Sequence, residues 1–234
     1  MNFENKTVLV TGAAGNLGQA VAAAFAAQGA RLVLLGRSVA SLQAALGEAG
    51  EQRLYVAADL LDGPQVAAAL AAAVQRFGRI DVLCNLAGGF RMGDAVHETT
   101  DSTWDFLMDI NARTLLNMAK SVVPHLLAHG GGKIVNVGAF AAQRGVAKMG
   151  AYCAAKSSVI RLTEAMAAEL REKNINVNCV LPTVIDTPEN RATMPDADPS
   201  RWVAPADLAN VVVFLASDAA RAVHGAALPV TGLS

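Results

Sequence analysis

The sequence predicts an α/β fold in which one doubly wound, parallel, seven-stranded sheet carries helices on both faces. Three observations point to it. Seven short runs rich in Val, Ile and Leu recur along the chain; they are nearly continuous rather than alternating; and alanine-rich stretches long enough to be crossover helices separate them. KTVLV at 6–10 is the first run, followed by a glycine-rich turn and a helical stretch at 16–28. RLVLL at 31–35 precedes the stretch at 39–48, RLYVA at 53–57 precedes 64–76, and IDVLC at 80–84 precedes 102–129. KIVNV at 133–137 leads into 151–173, and INVNCV at 175–180 is separated from the helical stretch at 206–216 and the last run, ALPV at 227–230, by an irregular segment. That segment, Pro182 to Pro205, is polar, holds five prolines and has no usable period. A long loop placed after a central strand's carboxyl end reads as a substrate lid over residues 182–205.

Size and charge bound the rest. At 234 residues the chain makes one sizeable domain, 1–234, and needs no disulfide or structural metal to hold it. Nineteen Lys and Arg against twenty Asp and Glu leave a net charge of −1, which removes the basic footprint of a nucleic-acid binder. The longest apolar stretch, Val66 to Val74, is far short of the roughly 20 residues of a membrane span. Cys84, Cys153 and Cys179 follow no metal-binding or disulfide pattern, and the first residues carry no secretion signal, so a cytoplasmic protein is expected. His125 and His129 have an i,i+4 spacing without an accompanying acid or thiol; at a helix end before three glycines they read as complements to the dipole rather than metal ligands.

Two motifs carry chemistry. TGAAGNLG, Thr11 to Gly18, joins the first strand to the first helix, the context in which glycines let the backbone approach a pyrophosphate and the helix N-terminus supplies free N–H donors. Gly12, Gly15, Asn16, Leu17 and Gly18 are therefore candidate dinucleotide-binding residues. The second strand ends in Gly36-Arg37 where an NAD site would place a carboxylate; the Arg37 guanidinium suits the 2′-phosphate of NADP, with NAD the alternative. In YCAAK, Tyr152 precedes Lys156 by four residues, so both share a helical face, and the ammonium is expected to favour the ionised phenol for proton transfer.

With these motifs in place the chain resembles the single-domain short-chain dehydrogenase/reductases over essentially its whole length. The resemblance rests on TGAAGNLG, Asp59 after the third strand, NLAG at Asn85 to Gly88, Asn111, YCAAK and the Pro182-to-Thr187 segment, in that order. It implies a Rossmann-type reductase domain. In it, Asp59 and Leu60 would meet the adenine, and Asn85, Ala87 and Gly88 would stabilise the sheet beside the cofactor. Asn111 would hold a water linked to Lys156, Lys156 would hold the nicotinamide ribose, and Pro182, Ile185 and Thr187 would meet the nicotinamide end and the phosphates. Tyr152, Lys156 and Asn111 would be catalytic. The residues alone also allow a solvent-facing Asn111 and a turn-initiating Asp59.

Two departures from the family pattern shape the expectation. The middle glycine of the first turn stands at Gly15, with Asn16 in the usual glycine position, where asparagine's tolerance of left-handed backbone would preserve the turn. Ala139 occupies the place of the family's serine, thirteen residues before the tyrosine. Quinonoid dihydropteridine reductases share that alanine, and their segments resemble AGGFRMGDA at Ala87 to Ala95 and LPTVIDTPENRATMPDADPSRW at Leu181 to Trp202. The resemblance implies hydride transfer to a small molecule such as a quinonoid dihydropterin, with Phe90 and Trp202 offering apolar faces to a flat ring. A carbonyl or 3-oxoacyl reductase and a non-catalytic NADP(H)-binding sensor are the alternatives. A homodimer or homotetramer built on 102–129 and 151–173 is expected, with no nucleic-acid or membrane partner.

Overall fold

The computed structural model describes residues 1–234. Its sheet has seven parallel strands in the order β3-β2-β1-β4-β5-β6-β7: β1 Thr7–Val10, β2 Arg31–Gly36, β3 Arg53–Ala57, β4 Val82–Asn85, β5 Gly132–Val137, β6 Ile175–Pro182 and β7 Ala227–Val230. The order reverses between β1 and β4, so the turns after these two strands open a crevice at one end of the sheet. Helices α1 Asn16–Ala26, α2 Val39–Leu46, α3 Gly63–Phe77, α4 Asp101–Met108, α5 Thr114–Ala128, α6 Gly150–Leu170, α7 Pro188–Thr193 and α8 Pro205–Leu215 complete it.

Why the strands read as unbroken apolar runs is visible in the packing. In β1, Val8 and Val10 join the cluster formed with Val21 and Phe25 of α1 and Leu208 and Val212 of α8. Leu9, pointing the other way, joins Val66 of α3, Val122 of α5 and Val159 of α6. Both sides of the pleat are therefore covered, and each such side chain contributes roughly 1.5–3 kcal/mol on leaving water.

Two stretches differ from the expectation. The predicted single helix at 102–129 is α4 and α5 joined by a π-helical turn, Asp109–Arg113. The widened turn is sealed by a side chain: Asn111 Nδ2 donates to Leu107 O at 2.9 Å. Nor is the segment after β6 wholly irregular. Thr187 accepts from Asn190 N and starts α7, Asp198 caps a short 3-10 turn at Pro199–Arg201, and Ile185 bridges to Val203.

Candidate functional site

The first turn is held by close backbone contacts. Thr11 Oγ1 accepts from Leu86 N at 3.0 Å and Ala87 N at 3.1 Å, tying the end of β1 to the end of β4. Gly12, at φ +64°, lies so near Ala87 that a Cβ would sit 3.1 Å from its Cα. At Gly18 a Cβ would sit 2.3 Å from Gly12 O and 2.7 Å from Ala13 Cα, so this glycine is what lets α1 fold back onto its own turn. Gly15 is different: it has an extended backbone and only Gly12 O near a would-be Cβ, at 3.4 Å.

Asn16 does not use a left-handed conformation. It is the first helical residue of α1, and its Nδ2 donates to Glu189 Oε2 of α7 at 2.8 Å, linking the turn to the segment after β6. Leu17 packs its side chain on the core, which leaves only its backbone N–H for a ligand. The start of α1 has neither a side-chain cap nor an acidic residue in its first turn, whereas α2, α3, α4 and α7 are each capped by a Ser, Asp or Thr side chain. Free N–H groups at a glycine turn fit the pyrophosphate of a dinucleotide.

Around this turn the remaining candidates converge. Arg37 is exposed at the end of β2 without a hydrogen-bond or ion-pair partner, and Gly36 packs closely under α2, where a Cβ would be 3.0 Å from Leu42 Cγ. Asp59 is exposed and Leu61 N donates to its Oδ1 at 2.9 Å, so it does initiate an Asx turn while its second oxygen stays available. That turn is braced by Asn117, whose Nδ2 donates to Leu60 O at 2.9 Å. Asn85 donates to Asn136 Oδ1, and Asn136 to Thr163 Oγ1, each at 2.9 Å, crossing from β4 through β5 to α6. Asn85 Oδ1 is buried without a partner and Asn85 lines a void of about 10 Å³ bordered by Thr11, Leu60, Asn111 and Val137, near the lower limit for one water.

Asn111, Lys156 and Gly88 meet at one point. A Cβ on Gly88 would lie 2.9 Å from Asn111 Oδ1 and 3.1 Å from Lys156 Nζ, so glycine alone lets the two side chains approach there. Asn111 is buried, not solvent-facing; its amide accepts from Gly89 N at 3.1 Å and donates to Gly89 O at 3.0 Å. Lys156 is buried and donates to Val137 O at 2.9 Å.

The expected ionisation of Tyr152 by Lys156 is corrected here. Burial, with a smaller contribution from Cys153, pushes the Tyr152 phenol up to about 12, and burial lowers Lys156 to about 8. Desolvation by burial dominates at the phenol, and the Lys156 ammonium, which donates to Val137 O, is not among the groups that shift it. Tyr152 is thus a protonated phenol at neutral pH, suited to donate. Ala139 belongs to a small apolar cluster with Ala142, Ile160, Cys179 and Leu181, against which Tyr152 packs. Cys153 turns away and donates to Ala141 O at 3.4 Å.

The ring of Phe90 meets that of Tyr152 edge to face, with centroids 4.8 Å apart. A half-open cavity of about 220 Å³ adjoins Tyr152, lined on one side by Arg91, Met92 and Asp94 and on the other by Lys148, Met149 and Gly150. Trp202 does not line it; it is buried at the foot of the segment after β6, where Gly232 packs against its backbone. Pro182 ends β6 in register with Val230, Ile185 packs its side chain on the core, and Thr187 Oγ1 accepts from Asn190 N at 3.2 Å in the α7 cap. The histidine reading is also corrected. His125 Nε2 accepts from Ile80 N at 3.0 Å, and burial followed by the neighbouring His129 and Arg79 lowers its pKa, so the ring is a neutral acceptor and not a cation at the helix end. Thr11 and Asn117 are site-shaping residues not singled out from the sequence; Thr11 stood inside the glycine motif, and Asn117 had no signal.

The chain is similar to known proteins over nearly its whole length. The short chain dehydrogenase family profile matches residues 6–198. The chain is 35% identical to D-threitol dehydrogenase of Mycolicibacterium smegmatis, over 98% of this chain and 93% of that protein. The structure of a short-chain type dehydrogenase/reductase from Mycobacterium ulcerans superposes with a TM-score of 0.92 at 29% identity, covering 100% of this chain and 90% of that one. That of 3-ketoacyl-(acyl-carrier-protein) reductase from Brucella melitensis, complexed with NADH, does so with a TM-score of 0.88 at 32% identity, covering 98% of each.

Proposed function

The chain belongs to the short-chain dehydrogenase family, and from that premise we propose that this oxidoreductase uses NADP(H) to reduce a quinonoid dihydropterin or a similar conjugated heterocycle. The observation that carries the substrate reading is Ala139. It lies in an apolar cluster against Tyr152, so the position offers no hydroxyl to a developing oxyanion. For a carbonyl substrate the loss of one such donor typically costs ~2.7–4 kcal/mol of transition-state stabilisation. A quinonoid ring needs a hydride and a proton on a ring nitrogen, and develops no alkoxide at that place.

The cofactor, when bound, supplies the hydride. The N–H groups of Asn16, Leu17 and Gly18, reached over Gly12 and Gly15, would hold its pyrophosphate, and Arg37 its 2′-phosphate. Asp59 and Leu60 would border the adenine, Asn85, Ala87 and Gly88 the central crevice, and Pro182, Ile185 and Thr187 the nicotinamide side. Lys156 would hold the nicotinamide ribose and Asn111 a water next to it. Tyr152, raised to about 12, keeps its proton near neutral pH and delivers it to the substrate from a position covered by Phe90. Residues 182–205 would close over the substrate as a lid, tied to the phosphate turn by Asn16 and Glu189. Exposed Trp104 on α4 and Leu127 on α5 favour a homodimer or homotetramer, and three buried free cysteines favour a reducing, cytoplasmic setting.

A second reading has its own support. Relatives named for D-threitol and 3-ketoacyl-(acyl-carrier-protein) match nearly the whole chain, which favours an alcohol or carbonyl substrate. Turnover with NADPH against quinonoid 6-methyldihydropterin, cyclic ketones and a 3-oxoacyl thioester separates them. Higher kcat/KM for the pterin is the expected result, and efficient reduction of ketones or thioesters with none of the pterin overturns it. Tight NADPH binding without turnover of any would identify a sensor.

A further inference from the structure

The cavity beside Tyr152 is lined by Arg91 and Lys148, and the argument from them rests on the reading that this cavity receives the substrate. Arg91 is held in place: its guanidinium carbon lies 3.7 Å from the centroid of the Phe106 ring. Stacking of this kind fixes the plane of the guanidinium and leaves its N–H edge free for a planar, two-oxygen acceptor. Lys148 lies on the opposing loop, at φ +62°. The two loops are clipped together by Gly93 N donating to Lys148 O at 2.9 Å, and Gly150 comes so near Val96 that a Cβ would sit 2.8 Å from its Cγ2.

The charges on this rim do not cancel one another by contact. Arg91, Lys148 and Asp94 all line the cavity, and none of the three makes an ion pair or side-chain hydrogen bond; together they leave one positive charge in excess. The cavity also meets the start of α6 at Met149 to Tyr152, where no side chain caps the helix and the first turn carries no acid. Its free N–H groups add to the same positive potential within reach of the same space.

We propose that the substrate carries a carboxylate, and that Arg91, stacked on Phe106, is the residue that selects it, with Lys148 reinforcing the charge from the other loop. The carboxylate would bind the guanidinium edge and leave the reacting ring beside Tyr152. Arg91 is a specificity residue here and takes no part in proton or hydride transfer.

Two probe pairs test this, each matched except for charge: quinonoid dihydropterin carrying a side-chain carboxylate or its methyl ester, and 4-oxocyclohexanecarboxylate or its methyl ester. The ratio of kcat/KM, carboxylate over ester, is measured with NADPH for the parent and for Arg91→Met and Arg91→Lys. The expected ratio is about 10-fold or more in the parent, close to one in Arg91→Met and intermediate in Arg91→Lys. A ratio near one in the parent, or one unmoved by Arg91→Met, overturns the inference. A high ratio confined to the ketone pair keeps the carboxylate and removes the heterocycle reading, so the two fail separately. Calorimetric titration of both acids and esters into the NADPH-saturated protein reads the same preference without turnover; failure of both acids to bind more tightly than their esters also overturns it.

Discussion

The two halves of the crevice are built by different means. On the side of β1, β2 and β3, the proposed cofactor side, the surface is backbone drawn tight: Gly12 against Ala87, Gly18 against Gly12, and Thr11 pinning two amides at the end of β4. On the other side, between Phe90 and Lys148, the surface is made of side chains on loops, with Arg91 laid on Phe106 and Phe90 on Tyr152. A surface of backbone admits almost no change of residue, because an added atom meets atoms that cannot move. A surface of side chains can be re-specified one residue at a time. In the proposed function, the first side keeps chemistry general to the family and the second sets the substrate.

Substitutions sharpen that contrast, beginning where the halves meet. Tyr152→Phe removes the proposed proton donor while leaving the ring that Phe90 covers, so turnover is expected to fall at least ~100-fold with NADPH affinity unchanged, measured by steady-state kinetics and fluorescence titration. A variant that turns over at the parental rate would show that the proton reaches the substrate from elsewhere.

On the cofactor side the prediction concerns rigidity. Gly18→Ala forces a methyl to within 2.3 Å of Gly12 O, and the overpacking costs about 1–3 kcal/mol of stability together with loss of NADPH binding. Gly15→Ala, whose methyl would meet only Gly12 O at 3.4 Å, lowers stability by less. Thermal unfolding of the pair, with and without NADPH, checks this; equal effects would erase the distinction between the two glycines. A smaller effect is expected at the exposed edge of the same side. Arg37→Asp lowers the NADPH:NADH affinity ratio by about 10-fold or more, since the new carboxylate repels a 2′-phosphate and accepts from a ribose hydroxyl. An unchanged ratio by calorimetry would place 2′-phosphate recognition on another residue.

The same contrast explains what the sequence could reveal. Strands packed on both faces, such as β1 and β2, leave unbroken apolar runs, while the half-exposed edge strands β3 and β7 match their predicted runs residue for residue. The glycine-rich turn was legible because Gly12 and Gly18 stand where a Cβ would meet backbone, a need that Gly15 does not share. The π turn at Asp109–Arg113 was not, since an inserted residue leaves the helical pattern on either side intact and only Asn111, bonded to Leu107 O, gives it a cause. YCAAK located Tyr152 and Lys156, but their protonation depended on burial and on Val137 O, nineteen residues from Lys156. Arg91 and Phe106 lie on different elements, so no spacing rule joined them.

In the proposed function, Ala139 fits this site to a substrate without a developing oxyanion. The measurement that tests it most directly is the ratio of kcat/KM for quinonoid dihydropterin to that for a cyclic ketone, in the parent and in Ala139→Ser. The expected ratio is well above one in the parent and falls about 100-fold in the variant, because the restored hydroxyl stabilises only the alkoxide of the ketone. A parent that reduces the ketone efficiently and ignores the pterin, or a ratio that the serine leaves unchanged, would contradict it.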